Sequence, residues 1–233
     1  MNPERDPATF RQGKPLVVAI DGPSGSGKSS ISREAARRLR AAYLDTGAMY
    51  RAVTLSCMRA GIDLTDAIAV EAAAKAAVIE LSTSPDAEWV RVGGEDVTDE
   101  IREPKVSAAV SAVATTLGAR AELVRRQQQM IAESGLRIVA EGRDITTVVA
   151  PHAEVRILLT ASEEARMRRR GIQLGGTQTA VQLKEQVLAR DAKDSTVVNF
   201  QQAADGVVTI DSSDLDFEQT VQAVLDTVFT ATH

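Results

Sequence analysis

A doubly wound α/β fold is predicted by three features of this 233-residue chain. Short apolar runs alternate with amphipathic helical stretches, the first run feeds a glycine-rich turn that opens a helix, and the composition is that of an ordinary globular domain. Hydrophobic residues make up 44% and charged residues 25%, ordinary globular values, and the length suffices for one well-cored α/β domain with small appendages or two small domains.

The elements follow in order. Leu16 to Ile20 (LVVAI) is continuously apolar, as a parallel strand covered on both faces should be. Lys28 to Arg40 carries Ile31, Ala35, Ala36 and Leu39 on one side and Arg33, Arg37, Arg38 and Arg40 elsewhere, which predicts a helix with one buried face. Ala42 to Leu44 predicts a brief second strand, and Thr46 to Ala60 a helix closed by Gly61. The Ala-rich stretch Asp66 to Leu81 predicts a helix throughout. Trp89 to Val92, Gly93-Gly94 and Glu95 to Val97 predict a hairpin, because paired glycines supply the positive φ of a tight turn. This β piece interrupts a helical stretch and reads as an insert. Helices are predicted at Lys105 to Thr115 and Ala119 to Ser134, and strands at Arg137 to Ala140 and Val155 to Leu159. Thr160 and Glu163 have the spacing of a capping box for the next helix. Gly206 to Ile210 gives a last strand and Leu215 to Phe229 a last helix. No repeat, low-complexity tract or long linker marks a second full domain.

Composition excludes some functions. A net charge of −5 argues against a general nucleic-acid binder held by backbone electrostatics. One cysteine, Cys57, excludes an intramolecular disulfide framework and fits a reducing cytoplasm. The polar segment 1–14 lacks an apolar core and reads as a disordered tail rather than a secretory signal, and no apolar run is long enough to span a membrane. Aromatics are 3%, so a nucleobase pocket would depend on hydrogen bonds more than stacking.

The chemistry starts at Gly22, Pro23, Ser24, Gly25, Ser26, Gly27, Lys28, Ser29 and Ser30, which contain the pattern GxxxxGK[ST] between a strand and a helix. Gly22, Gly25 and Gly27 let successive N–H groups turn into one concavity, and the helix N-terminus adds partial positive charge. Lys28 is placed to reach the β- and γ-phosphates of ATP, and the Ser29 hydroxyl to ligate Mg²⁺. A guanine-reading Asn-Lys-x-Asp element is absent, since Asn2 and Asn199 are the only asparagines and neither precedes lysine. There is no Ser-Gly-Gly-Gln transporter signature either. A small-molecule kinase remains.

An acceptor site is suggested by Asp45-Thr-Gly-Ala-Met-Tyr-Arg51, where Thr46, Tyr50 and Arg51 fall near one face at a helix start. Ordinary surface positions for Tyr50 and Arg51 are equally compatible with that stretch alone. Glu141-Gly-Arg-Asp144 directly follows a strand, at the end of the sheet where α/β folds bind ligands. Arg166 and Arg168 read as a solvated helix face. Arg169, Arg190 and Asp194 read either the same way or as parts of a mobile lid that meets the transferring phosphoryl group.

DGPSGSGKS at Asp21 to Ser29, LDTGAMYR at Leu44 to Arg51, GEDVTDEIR at Gly94 to Arg102 and EGRDITTVV at Glu141 to Val149 together resemble the bacterial cytidylate kinases, over nearly the whole chain. The resemblance implies a five-stranded parallel sheet of the P-loop NTPase type, within a domain of residues 15–233 that carries an NMP-binding insert at about 62–104 and a helical lid at about 162–200. It implies ATP and Mg²⁺ as donor and cofactor, CMP or dCMP as acceptor, and a cytoplasmic monomer. Thr46 and Arg51 would contact the acceptor nucleotide, Arg143 its phosphate and Asp144 its cytosine. Ser111 and Arg120 would read the base, Arg190 would hold phosphate and Asp194 the ribose hydroxyls. Lys28, Arg143 and Arg190 would be catalytic. The sequence departs from the family at Ser195-Thr-Val-Val-Asn-Phe-Gln201, where a further lid arginine is usual and none is present.

Such a reaction needs no catalytic base, because a phosphate monoester is largely dianionic near neutrality. That agrees with a chain whose only histidines are His152 and His233. Glu141 stands where a carboxylate could hold Mg²⁺ through water. Kinases acting on UMP, AMP or shikimate, or an ATP-binding regulator without turnover, are the competing readings. The adenine pocket is placed only by position, near Asp211 to Asp214.

Overall fold

The computed structural model describes residues 15–173 and 180–232. The expected tail at 1–14 and the middle of the expected lid, 174–179, lie outside the described residues. Among the described residues there are eight strands: β1 (Leu16–Asp21), β2 (Ala42–Asp45), β3 (Ile79–Leu81), β4 (Val90–Val92), β5 (Glu95–Asp96), β6 (Arg137–Gly142), β7 (Val155–Thr160) and β8 (Val208–Asp211). Among them run α1 (Lys28–Arg38), α2 (Thr46–Arg59), α3 (Ala67–Ala76), α4 (Pro104–Thr115), α5 (Leu117–Glu133), α6 (Glu163–Gln173), α7 (Ala180–Asp194) and α8 (Phe217–Thr232).

Five of the strands form one parallel sheet in the order β2-β6-β1-β7-β8, as expected. Alternation along β1 builds a core on each face. Leu16, Val18 and Ile20 pack with Ile31 and Leu39 of the α1 region and with Val224 and Val228 of α8. Val17 and Ala19 join the opposite cluster with Met49 and Val53 of α2, Val110 of α4 and Leu123 of α5. Ile20, Leu39, Leu123 and Ile157 are wholly buried, and each such side chain contributes about 1.5–3 kcal/mol.

The order of strands decides where the site forms. Because β6 lies beside β1, with Ile20 opposite Glu141 and Asp21 opposite Gly142, the Glu141–Asp144 run emerges next to the glycine-rich loop. On the other side of β6, Asp45 is opposite Glu141 at the start of α2. These three chain segments therefore meet at the C-terminal end of the sheet.

Three expectations are corrected. The helix read from Asp66 to Leu81 stops at Ala76, and Ile79–Leu81 instead pairs antiparallel with Val90–Val92. Arg126 ends the helix by donating to the carbonyls of Ala74, Lys75 and Ala77. Beyond it, partly buried Ile79 and Leu81 pack on the cluster of Ala48, Ala52, Leu55, Val90, Val97 and Ile101. The capping box read at Thr160 is displaced: Thr160 continues β7 opposite Asp211, and Ser162 caps α6 by accepting the Ala165 N–H at 3.2 Å. The last helix starts at Phe217 rather than Leu215, because Asp216 and Gln219 form a reciprocal cap at 2.8 and 3.0 Å.

The small sheet β3-β4-β5 turns on Gly93 and Gly94, whose φ values of 59° and 84° suit a primed hairpin turn. It rests on α2, the helix that carries Tyr50 and Arg51, through Val90, Val97 and Ile101.

Candidate active site

The loop from Gly22 to Ser29 is tightly specified by its backbone. A side chain at Gly22 would run into the carbonyl of Leu159, and Gly25 and Gly27 have φ of 79° and 89°. Ser26 Oγ is buried without a hydrogen-bond partner among the described residues, which suits an anionic ligand in the cradle. Ser29 Oγ donates to Glu141 Oε1 at 2.6 Å, and Lys28 Nζ lies 3.9 Å from Glu141 Oε2. Burial lowers the pKa of Lys28, assisted by Arg143 and Arg190 and opposed by Glu141. Burial, with repulsion from Asp45, raises that of Glu141.

The opposite wall consists of paired charges. Asp45 caps α2 by accepting the Ala48 N–H at 2.9 Å, and it pairs with Arg51 at 2.9 Å and Arg102 at 3.8 Å. Burial works to raise the Asp45 pKa, but these two guanidiniums win and lower it. Thr46 Oγ1 donates to the Glu141 carbonyl at 2.8 Å, across a gap that only Gly142 leaves open. Tyr50 is 8% exposed, so the ordinary-surface alternative for this segment is removed; burial and the nearby Asp144 raise its pKa. Arg120 and Asp144 are hydrogen-bonded to each other, and burial raises the Asp144 pKa against the pull of Arg120.

Asp21, at the end of β1, holds the turn that presents Arg143 and Asp144. It accepts the N–H groups of Ile145 and Thr146 at 2.8 and 2.9 Å and the Thr146 hydroxyl at 2.6 Å. Burial raises its pKa to about 6 in spite of these bonds. Arg143 Nη1 is 2.9 Å from Asp191 and 3.2 Å from Asp194, and its guanidinium lies 4.4 Å from the centre of the Phe200 ring. Arg190 is 3.8 Å from Asp194, and burial together with Arg143 lowers its pKa to about 9.

One cavity of about 700 Å³ takes in most of these groups: Ser24 to Ser30, Thr46, Tyr50, Arg51, Arg120, Arg143, Asp144, Arg190 and Asp194. Gly22 and Pro23 do not line it. Ser111 does not line it either; the residue is 3% exposed and its hydroxyl donates to Asp194 Oδ1 at 2.6 Å, so it meets the cavity through that carboxylate.

The solvated-face reading of α6 is corrected at Arg166. Arg166 is no solvated residue: its Nη1 donates to Ser24 O at 3.0 Å and to Asp191 Oδ2 at 2.6 Å. Arg168 is exposed but faces the cavity. Arg169 clamps the glycine-rich loop to the segment after β8, donating to Ser26 O and Ser212 Oγ at 3.0 and 2.9 Å. Asp191, Arg102 and Phe200 were missed. Asp191 lay between two residues that had been singled out, and Arg102 was read only as part of a family signature. Phe200 had no signal at all. Val197 and Val198 line the cavity in the stretch that lacks the usual arginine. Leu215, Asp216, Phe217 and Thr220 also line the cavity, a few positions beyond Asp211 to Asp214, where the adenine pocket is expected.

A metal would meet oxygen donors here, the Ser29 hydroxyl and the Glu141 carboxylate. Among the described residues no cluster of three or more His, Cys, Asp or Glu could hold an ion. Two hard oxygens suit Mg²⁺, which keeps several waters and leans on substrate phosphates rather than a protein cage.

Comparison with known proteins gives concordant matches. The sequence model of one family, described as cytidylate kinase, matches residues 18–230. The cytidylate kinase of Cutibacterium acnes is 50% identical over 218 residues, covering 92% of this chain and 96% of that protein. The cytidylate kinase of Mycobacterium avium is 48% identical over 217 residues, covering 91% and 95%. An uncharacterized protein from Eubacterium ventriosum of known crystal structure superposes with a TM-score of 0.50 over 93% of this chain and 99% of that one. At 10% identity that likeness concerns the fold alone.

Proposed function

The chain belongs to the cytidylate kinase family, and we propose that its site transfers the γ-phosphoryl group of ATP to CMP or dCMP, giving ADP and CDP or dCDP. The observation that carries this reading is a single cavity with an anion cradle on each side. One is the glycine-rich loop with Lys28, and the other is the group Arg51, Arg143 and Arg190.

Each residue then has a role. The Gly22 to Ser30 loop holds the ATP phosphates with backbone N–H groups of its Gly25 to Ser30 part, since Pro23 has none and that of Ser24 goes to Asp191, and Lys28 neutralises charge on the group in transfer. Arg51, Arg143 and Arg190 hold the acceptor phosphate in line with it. The acceptor oxygen is already ionised near neutrality and attacks without a base. Asp144 accepts from the cytosine amino group, where uracil offers a carbonyl, and Arg120 donates to the ring acceptors. Ser111 supports base recognition through Asp194, and Thr46 and Tyr50 line the acceptor side. Ser29 and Glu141 are the residues that would hold Mg²⁺, which supplies charge neutralisation between the phosphates.

In this reading residues 62–104 form the nucleoside monophosphate insert and 162–200 the lid that excludes water. One chain carries every group required, so a monomer suffices, and a cytoplasmic setting fits the use of ATP. The test is incubation of the protein with γ-labelled ATP, Mg²⁺ and CMP. Label in CDP supports the reading; label appearing only in inorganic phosphate overturns it.

A further inference from the structure

A buried carboxylate outside the roles above, Asp191, joins four parts of the molecule. It is 4% exposed. Its Oδ1 accepts the Ser24 N–H at 3.2 Å, a direct tie from α7 to the phosphate loop. Its Oδ2 accepts from Arg166 Nη1 of α6 at 2.6 Å, and the same nitrogen donates to Ser24 O at 3.0 Å. Ser24 is thus gripped on both of its backbone polar groups.

The same Oδ1 lies 2.9 Å from Arg143 Nη1, an ion-pair distance without the alignment of a hydrogen bond. Arg143 has its other restraints on the same side of the cavity, from Asp194 at 3.2 Å and the face of Phe200 at 4.4 Å. A buried carboxylate is tolerated only when its charge is matched, and Asp191 has two guanidiniums and an N–H. Closing α6 onto α7 would need Arg166 alone. The extra contacts, to a donor-side N–H and an acceptor-side arginine, make a shift of Ser24 felt at Arg143 through one rigid group.

We infer that Asp191 is a positioning residue that couples the donor phosphate loop to Arg143, so that filling one nucleotide subsite tightens the other. The inference rests on the proposed phosphoryl transfer. Coupling of this kind is reciprocal and typically amounts to about 5–150-fold in affinity.

The experiment is calorimetric titration of CMP into the full chain, with and without the non-hydrolysable analogue AMPPNP and Mg²⁺. Wild type is expected to bind CMP about fivefold or more tighter when the analogue is present. Asp191→Asn removes the charge while keeping the shape. It is expected to abolish that ratio, with each nucleotide alone binding within about threefold of wild type. General structural damage would weaken both nucleotides and leave the ratio intact. Arg166→Gln breaks the same junction from α6 without touching Arg143. It is expected to reduce the ratio, and it decides the matter if Asp191→Asn does not fold. No tightening in wild type, or a wild-type ratio in the variant that folds, overturns the inference. Conversion of CMP to CDP by the same wild-type preparation reports separately on the activity.

Discussion

The glycine-rich loop presents backbone to the cavity, whereas the wall facing it presents side chains that are already paired. On the loop side, Gly22 to Ser29 are contiguous, Gly25 and Gly27 shape the concavity, and Asp191, Arg166 and Arg169 brace its backbone from outside. On the facing side, Arg51 leans on Asp45, Arg120 on Asp144, and Arg143 on Asp191 and Asp194. These residues come from the end of β2, from α2, α5 and α7, and from just after β6. An entering nucleotide settles into the first region but has to exchange partners in the second. Buried guanidiniums that lose a carboxylate must gain another anion. The paired wall thereby favours a ligand with a phosphate at one end and a matching hydrogen-bond pattern at the other. In the proposed function the backbone cradle serves phosphoryl transfer and the exchangeable ion pairs serve selectivity.

This contrast can be broken by substitutions on each side. The largest effect is expected from Lys28→Met, which should lower kcat about 10³-fold with every acceptor alike. A loss confined to one acceptor in steady-state assays would break the division. Arg51→Gln should lower kcat/KM for CMP about 100-fold while the KM for ATP stays within about threefold. An equal rise in both KM values would mean that the two sides are not separable. Asp144→Ala should shrink the ratio of kcat/KM for CMP over UMP about 10–100-fold, and an unchanged ratio would remove its role in reading the base.

The seam between the two regions can be probed by pH. The folded pKa of Asp21 is raised to about 6, above its ordinary 3.8, so the folded chain keeps a proton that the unfolded chain releases between those values. Stability from this group is therefore full below 3.8 and is lost as pH rises through 6. Urea midpoints at about pH 4.5 and 7 should show wild type gaining up to ~2 kcal/mol at the lower pH relative to Asp21→Asn. Parallel behaviour of the two proteins would contradict the raised pKa. The smallest effect is expected from Phe200→Leu, which removes the ring beneath Arg143 and should raise the KM for CMP only a few-fold.

The same contrast explains what could be read from sequence. The five parallel strands and the phosphate loop were legible because each is a local pattern, a short apolar run or glycines at fixed offsets. The stop of α3 at Ala76 was not, since it depends on Arg126 reaching across from α5. Arg166 looked like one more charge on a basic helix, and only the fold brings it to Ser24. Asp191 and Phe200 likewise gain meaning from Arg143, distant in sequence and adjacent in space. The glycines that shape the backbone left a motif, whereas Arg166, Asp191 and Phe200, whose partners are distant in sequence, were not recognisable from local pattern.

The central claim is that the paired wall selects a cytidine nucleotide for a cradle that would serve any acceptor. It is tested most directly by kcat/KM for ADP formation with CMP, dCMP, UMP, AMP and shikimate under one set of conditions. CMP and dCMP should lead, with UMP and AMP at least about tenfold behind and shikimate inert. AMP outpacing CMP, or no turnover with any of the five, would contradict it.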